Sequence, residues 1–384
     1  MARYHRAEKW RAGLVCCLLL SLAKQAQTLP NPGGQTFLGF NYWNSRYSLD
    51  YTDWDGFWNS NFGGRNMYNR DTGGSSCVGC TCSNQEATCT GSTVNIRYYG
   101  VQKLNPENLV VGTTEITIFE SGLKYVNATA FHNLTGLKKL NLAQNELTDF
   151  PDISKNSLLE ELDLYANKIQ LFSHNFTSLP KALKRIILID NLIDWIPNEW
   201  FDLPDLEYLA LSKNKLKKFP SDSFINCRSL RYLSVDQNEI GRLSVPNMQP
   251  FFGNDSALVH LNASNNQISA ISTGAFSNLI HLKVLELHVN HLETIATKVF
   301  YQIPELLHLD LRGNRLKTIT AEGYSSPFDS LPKLKVLILM QQQSSYQTER
   351  VMFNAFKDLP ALEDLFVANI TTTTIPYIFA SGKQ

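Results

Sequence analysis

The residues of this 384-residue chain with chemistry to offer are its cysteines, its histidines and a series of tyrosines. Cys77-x2-Cys80-x-Cys82-x6-Cys89 brings four thiols into a short stretch, the spacing of a small disulfide-knotted unit in an oxidising compartment. The eight histidines fall at mostly unrelated positions, with neither an HExxH pair nor another histidine–carboxylate constellation of known spacing. GxSxG, a phosphate loop and a catalytic Cys–His signature are also missing from the sequence. These patterns predict a protein that is not an enzyme, with no catalytic residue, metal site or cofactor. The 35 basic and 35 acidic residues cancel, which removes a global electrostatic case for binding nucleic acid or an anionic membrane.

The start of the chain fixes the compartment. Arg3, Arg6, Lys9 and Arg11 precede the apolar run Leu14–Leu22, which ends in the small-residue triplet Ser21-Leu22-Ala23, so residues 1–23 are expected to be a signal peptide, cut after Ala23 or Ala26. The run is about half the ~20 residues needed to cross a bilayer, and no membrane segment is expected. Cys16 and Cys17 leave with this leader, and secretion is the predicted route. Six Asn-x-Ser/Thr sequons agree with it, at Asn127, Asn133, Asn175, Asn254, Asn262 and Asn369.

The elements that must position any site come from a repeat. The frame LxxLxLxxNxL begins at Leu137, Leu159, Leu183, Leu206, Leu230, Leu258, Leu282 and Leu306, and its asparagines are Asn145, Asn167, Asn191, Asn214, Asn238, Asn266, Asn290 and Asn314. A degenerate unit at Thr113 precedes the set and two more follow at Leu334 and Leu362, giving about eleven turns over residues 101–384. Alternation at positions 4 and 6 is strand periodicity, with both side chains on one face. A single unit cannot bury that face, so neighbours must stack their strands into one parallel sheet. The predicted fold class is α/β: a leucine-rich-repeat solenoid with a curved parallel sheet on the concave side and an irregular, 3-10 or helical convex side. The frame asparagines are expected to form a structural ladder, and a recurring Phe-x-x-Leu element to pack the convex side. Phe224-Ile-Asn-Cys227 places Cys227 in that element as a buried free thiol.

The first strand of such a solenoid has an exposed edge, and a disulfide cap is one way to cover it. The cysteine cluster, expected to form a cap over residues 77–100, stands just before the repeats, and the four cysteines allow three pairings. This spacing followed by repeats resembles the amino-terminal cap of the small leucine-rich proteoglycans, most of all the osteoglycin, epiphycan and opticin class. The resemblance implies the pairs Cys77–Cys82 and Cys80–Cys89, and collagen or another matrix protein as partner. The chain departs from that family in lacking a cysteine pair after Cys227, so it reads either as a fragment or as a solenoid whose last turn is capped differently. Residues 24–76, rich in aromatic residues and poor in aliphatic ones, are expected to be a flexible tail. Within it Tyr47 and Tyr51 neighbour Asp50, Asp53 and Asp55, a setting that resembles the sulfated tyrosines in tails of this family; a plain aromatic contact tail is the other reading.

Frame positions 3, 5 and 7 should point outward from the sheet. The ligand-binding candidates among them are Tyr165, Arg185, Tyr208, Tyr232, His260, His288, His308 and Arg312, a mixed aromatic and charged row suited to an extended partner. His260, Glu286, His288, His308 and Asp310 are also neighbours in the frame, and a solvated polar face is preferred over a cation site there. A glycan at Asn262 would stand at position 5, in the middle of this face. The functional expectation is an extracellular protein-binding protein in the secreted space or matrix. The alternatives are the ectodomain of a leucine-rich-repeat receptor and a non-catalytic subunit of a secreted complex.

Overall fold

The computed structural model describes residues 76–367 apart from short internal stretches, the longest being 171–178, 320–325 and 343–349. The expected signal peptide, the tail with Tyr47 and Tyr51, and the sequons at Asn175 and Asn369 lie outside the described residues. At the amino-terminal end four short strands form the cap: β1 (Ser76–Val78), β2 (Cys80–Ser83), β3 (Glu86–Cys89) and β4 (Thr93–Arg97). Then each repeat contributes one strand on frame positions 3 to 5: β5 (Glu115–Ile118), β6 (Lys139–Asn141), β7 (Glu161–Asp163), β8 (Arg185–Ile187), β9 (Tyr208–Ala210) and β10 (Tyr232–Ser234). The series continues with β11 (His260–Asn262), β12 (Val284–Glu286), β13 (His308–Asp310), β14 (Val336–Ile338) and β15 (Asp364–Phe366).

These strands form one 13-stranded sheet in the order β1-β4-β5 and onward to β15, parallel throughout except where β1 runs antiparallel to β4. The chain is therefore a parallel β-solenoid. The far side takes the irregular form of the expectation, built of turns and short bridges, with a 3-10 turn at Pro106–Asn108. The three degenerate units supply strands β5, β14 and β15 despite their imperfect frames.

Positions 1, 4 and 6 point into the core, as Leu206, Leu209 and Leu211 illustrate, all fully buried. Burying one leucine contributes about 1.5–3 kcal/mol, but only the neighbouring turns provide something to bury it against. The far side is held by an aromatic spine: the rings of Phe276, Phe300, Phe328 and Phe356 follow one another at 6.1, 6.2 and 5.9 Å. The first long step, 28 residues between Asn238 and Asn266, leaves the sheet undisturbed, since Tyr232 still pairs with His260. On the far side of that step Phe252 stacks on Phe224 at 5.4 Å. Cys227 is buried there and takes part in no disulfide, its thiol pushed up to about 12 by burial.

The asparagine column follows one pattern. Asn214 donates from Nδ2 to the carbonyls of Leu188 in the preceding turn and Leu211 in its own, and its Oδ1 accepts the N–H of Ile193. At the ends other residues take the place: Ser121 bonds the Ile96 carbonyl, and Gln342 reaches the carbonyls of Leu311 and Leu339 with its longer amide. The residue before each asparagine turns through the left-handed region, with φ of 53° at Gln144, 60° at Asp190 and 52° at Val289. In the cap, Cys77–Cys82 and Cys80–Cys89 are the disulfides, the second joining residues directly opposite on β2 and β3.

Candidate functional site

The outward face of the long sheet carries the candidate residues, because parallel in-register pairing sets frame position 3 of each strand beside position 3 of the next. Arg185, Tyr208, Tyr232 and His260 are paired in that order across β8 to β11. With strands about 4.8 Å apart, such side chains stand at stacking distance. The Arg185 guanidinium lies over the Tyr208 ring, 4.9 Å from its centroid. Tyr208 and Tyr232 stack at 4.6 Å with planes 4° apart, and Tyr232 meets His260 edge-on at 4.9 Å.

The row then turns from aromatic to ionic. His260 Nε2 is 3.0 Å from Glu286 Oε1, and His288 Nδ1 lies 3.8 Å from Glu286 Oε2 and 3.5 Å from Asp310 Oδ2. Asp310 in turn holds the Arg312 Nε at 3.1 Å. Burial raises the affinity of Glu286 for a proton, but the hydrogen bond from His260 and the charges of His260, His288 and His308 outweigh it and hold the carboxyl at about 2. His308 is pushed below its ordinary value, chiefly by burial, against the pull of Asp310 and Glu286. Tyr232 is raised well above its ordinary value by burial and by Tyr208, Asp236 and Glu286, so its hydroxyl stays protonated.

The row does lie on one face, but its side chains lean on one another rather than standing free: Arg185, Tyr208, His260 and His288 are buried, whereas Tyr165, Tyr232, His308 and Arg312 are half-buried. Both faces of the Tyr208 ring are used inside the stack.

A second network, absent from the sequence-level candidates, lies beside it. Asp236 accepts hydrogen bonds at Oδ1 from the hydroxyls of Ser212 and Ser234, the latter at 2.7 Å, and at Oδ2 from Gln237 Nε2 at 3.1 Å. The available signal was a carboxylate at an outward position flanked by serines on the same and the preceding turn. Asp163, next to Arg185, is raised to about 6, mainly by burial; its Oδ1 accepts the N–H of Tyr165. Asn262 makes the same contact, accepting the N–H and hydroxyl of Ser264 at 3.0 and 2.7 Å. Asn262 is half-buried on the sheet face, whereas Asn133 and Asn254 are exposed. No group of three or more His, Cys, Asp or Glu side chains is arranged to hold a metal ion among the described residues. No helix among them is long and apolar enough to cross a membrane.

With this geometry in hand, comparisons with known proteins are informative. The leucine rich repeat family profile matches residues 112–169, 181–240 and 256–316. The leucine-rich repeat-containing G-protein coupled receptor 5 of Rattus norvegicus is 31% identical over 46% of this chain and 16% of its own length. Osteomodulin of Rattus norvegicus is 28% identical over 56% of this chain and 49% of its own, and tsukushi of Gallus gallus is 27% identical over 48% and 51%. The chain thus spans about half the length of these two relatives and far less of the receptor. Among solved structures, the TLR13–ssRNA13 complex matches at TM-score 0.58 and 25% identity over 69% of this chain and 39% of that one. A Leptospira interrogans leucine-rich-repeat protein matches at TM-score 0.55 and 22% identity over 70% and 67%, a likeness of fold alone.

Proposed function

Taking the chain as a leucine-rich-repeat protein with relatives among the small leucine-rich proteoglycans and the leucine-rich-repeat receptors, we propose that it acts outside the cell as a non-catalytic binding protein. In this reading it docks an extended protein ligand across its sheet face, and a matrix protein such as collagen is the first partner to test. The observation that carries the proposal is the continuous row from Arg185 to Arg312, in which each side chain is set by contact with the next. A partner meeting that row finds groups already ordered, so less side-chain entropy is lost on binding. With outward positions on β7 to β13, the face extends for about 30 Å, long enough for an extended segment.

Similarity to a G-protein coupled receptor and to Toll-like receptor 3 of Boselaphus tragocamelus supports a second reading, in which the same face belongs to a receptor ectodomain. The test is capture of fibrillar collagen and of total extracellular protein by the full secreted chain, set against the variant Tyr165→Ser, Tyr232→Ser, Arg312→Ser. These half-buried residues can be shortened without opening the core. About a tenfold loss of capture is expected if they belong to the contact. Capture by the variant equal to that of the wild type would move the site off the sheet face.

A further inference from the structure

Resting on the sheet face as the docking surface, we infer that the partner segment it takes is basic, presenting arginine or lysine side chains to the carboxylates between β10 and β13. The first ground is what the ring stack leaves over. Arg185 covers one face of Tyr208, Tyr232 covers the other, and His260 abuts the far side of Tyr232. Flat apolar or cationic groups of a partner therefore find the Tyr208 ring already covered on both faces. Beyond the stack lie the carboxylates of Asp236 and Glu286, fixed by side-chain hydrogen bonds.

The second ground is charge. Outward positions 3, 5 and 7 on strands β7 to β13 carry five carboxylates, two guanidinium groups and three imidazoles, and the neighbouring Lys139 on β6 pairs with one of the carboxylates, Glu161, at 3.1 Å. Two of the carboxylates, Asp236 and Glu286, have no lysine or arginine partner among the described residues. Asp236 is held by two serine hydroxyls and a glutamine amide, and Glu286 by imidazoles. Hydroxyl and amide hydrogen bonds fix the Asp236 oxygens in place without cancelling their charge. A face with an excess of one sign steers and selects partners of the opposite sign. Elsewhere on the solenoid several carboxylates are matched across turns, as in Lys184–Glu160 at 2.9 Å and Lys335–Glu363 at 3.1 Å.

The experiment measures fluorescence anisotropy of labelled (Gly-Arg)6, (Gly-Gln)6 and (Gly-Glu)6 peptides titrated with the full secreted chain. Binding of the arginine peptide alone is expected. Asp236→Asn with Glu286→Gln should weaken it about fivefold or more, and Glu160→Gln with Glu363→Gln on the flank should not. A gain-of-affinity variant guards against misfolding. Asn262→Asp adds a carboxylate at the centre of the patch and keeps the contact to the N–H two residues on, as Asp163 and Asp310 do in their own turns. It should tighten binding about threefold or more relative to Asn262→Ser, which removes the sequon without adding charge. Equal binding of the three peptides, or no response to either charge change, overturns the inference. If the Tyr165, Tyr232, Arg312 variant still abolishes protein capture in that case, the docking face stands and only the basic partner falls. If capture and peptide binding are both indifferent to sheet-face variants, both readings fall.

Discussion

The asparagine column and the sheet-face row run side by side along the same turns, and both turn polar side chains into buried ones. They do so by opposite means. Each column residue bonds to backbone: Asn238 reaches the carbonyls of Leu211 and Val235 and the N–H of Leu216, the same three places that Asn214 reaches one turn earlier. Each row residue bonds to a neighbouring side chain, so its environment depends on what the adjacent turn carries. The column is thus invariant and can serve only the fold, whereas the row can change residue by residue while the backbone stays fixed, which suits it to recognition.

The largest expected effect lies in the column. Asn214→Ala strips the Ile193 N–H of its buried partner and removes one of the two asparagine amides on each of the Leu188 and Leu211 carbonyls, and should cost about 2 kcal/mol or more in urea unfolding. A loss under about 1 kcal/mol would mean that water replaces the amide and that column and row are not distinct in kind. The row should show its pairwise character in a double-mutant cycle on Tyr208→Leu and Tyr232→Leu, with a coupling of about 1 kcal/mol beyond the single effects. Additive single effects would reduce the stack to two independent burials.

The turn before the column offers a test of comparable size in the other direction. Val289, β-branched, half-exposed and at φ 52°, occupies a conformation that costs an L-residue about 1–2 kcal/mol, and asparagine tolerates it better. Val289→Asn should therefore raise the thermal midpoint, as scanning calorimetry would show.

Titration separates the two ends of the row. Asp163 has a folded value of about 6, above the ordinary carboxylate, so the folded state holds its proton more tightly than the unfolded chain and stability is lost as pH rises from about 4 through 6. Asp163→Asn, which keeps the contact to the Tyr165 N–H in the way Asn262 does to Ser264, should remove that loss and gain on the order of 1 kcal/mol at pH 7. His308 works the other way. Its folded value lies below the ordinary imidazole value, so its contribution is complete above about 6.5 and is lost as pH falls through the folded value. His308→Gln should flatten the decline in stability between pH 7 and 5 measured by urea unfolding, and an unchanged slope would remove His308 from the account. The smallest effect belongs to the flank, where Lys333→Ala breaks an exposed pair with Glu305 and should cost no more than about 0.5 kcal/mol.

Much of this was legible in the residues themselves. The frame LxxLxLxxNxL places every strand, because leucines at positions 4 and 6 can be buried only if the units stack in register, and the column follows from the asparagine at position 9. Even Gln342 and Ser121 stand at position 9 of their degenerate units, although neither side chain announces that it can replace the amide. The left-handed turn before the column was hidden, since Gln144, Lys213 and Val289 are not the residue types that mark such a backbone.

What the sequence by itself determined is therefore the solenoid, its register and the identity of the outward positions, because a short period and a one-sided core leave the backbone a single way to stack. What only the tertiary structure decided is the state of those outward residues. Whether Tyr208 stands free or lies between Arg185 and Tyr232, and whether Asp236 finds a cation or only hydroxyls, depends on side chains about one turn apart in sequence and about 5 Å apart in space. The stacking of turns brings those distances together, and with them the burial that shifts Asp163 and His308 and the imidazole contacts that lower Glu286 against its burial.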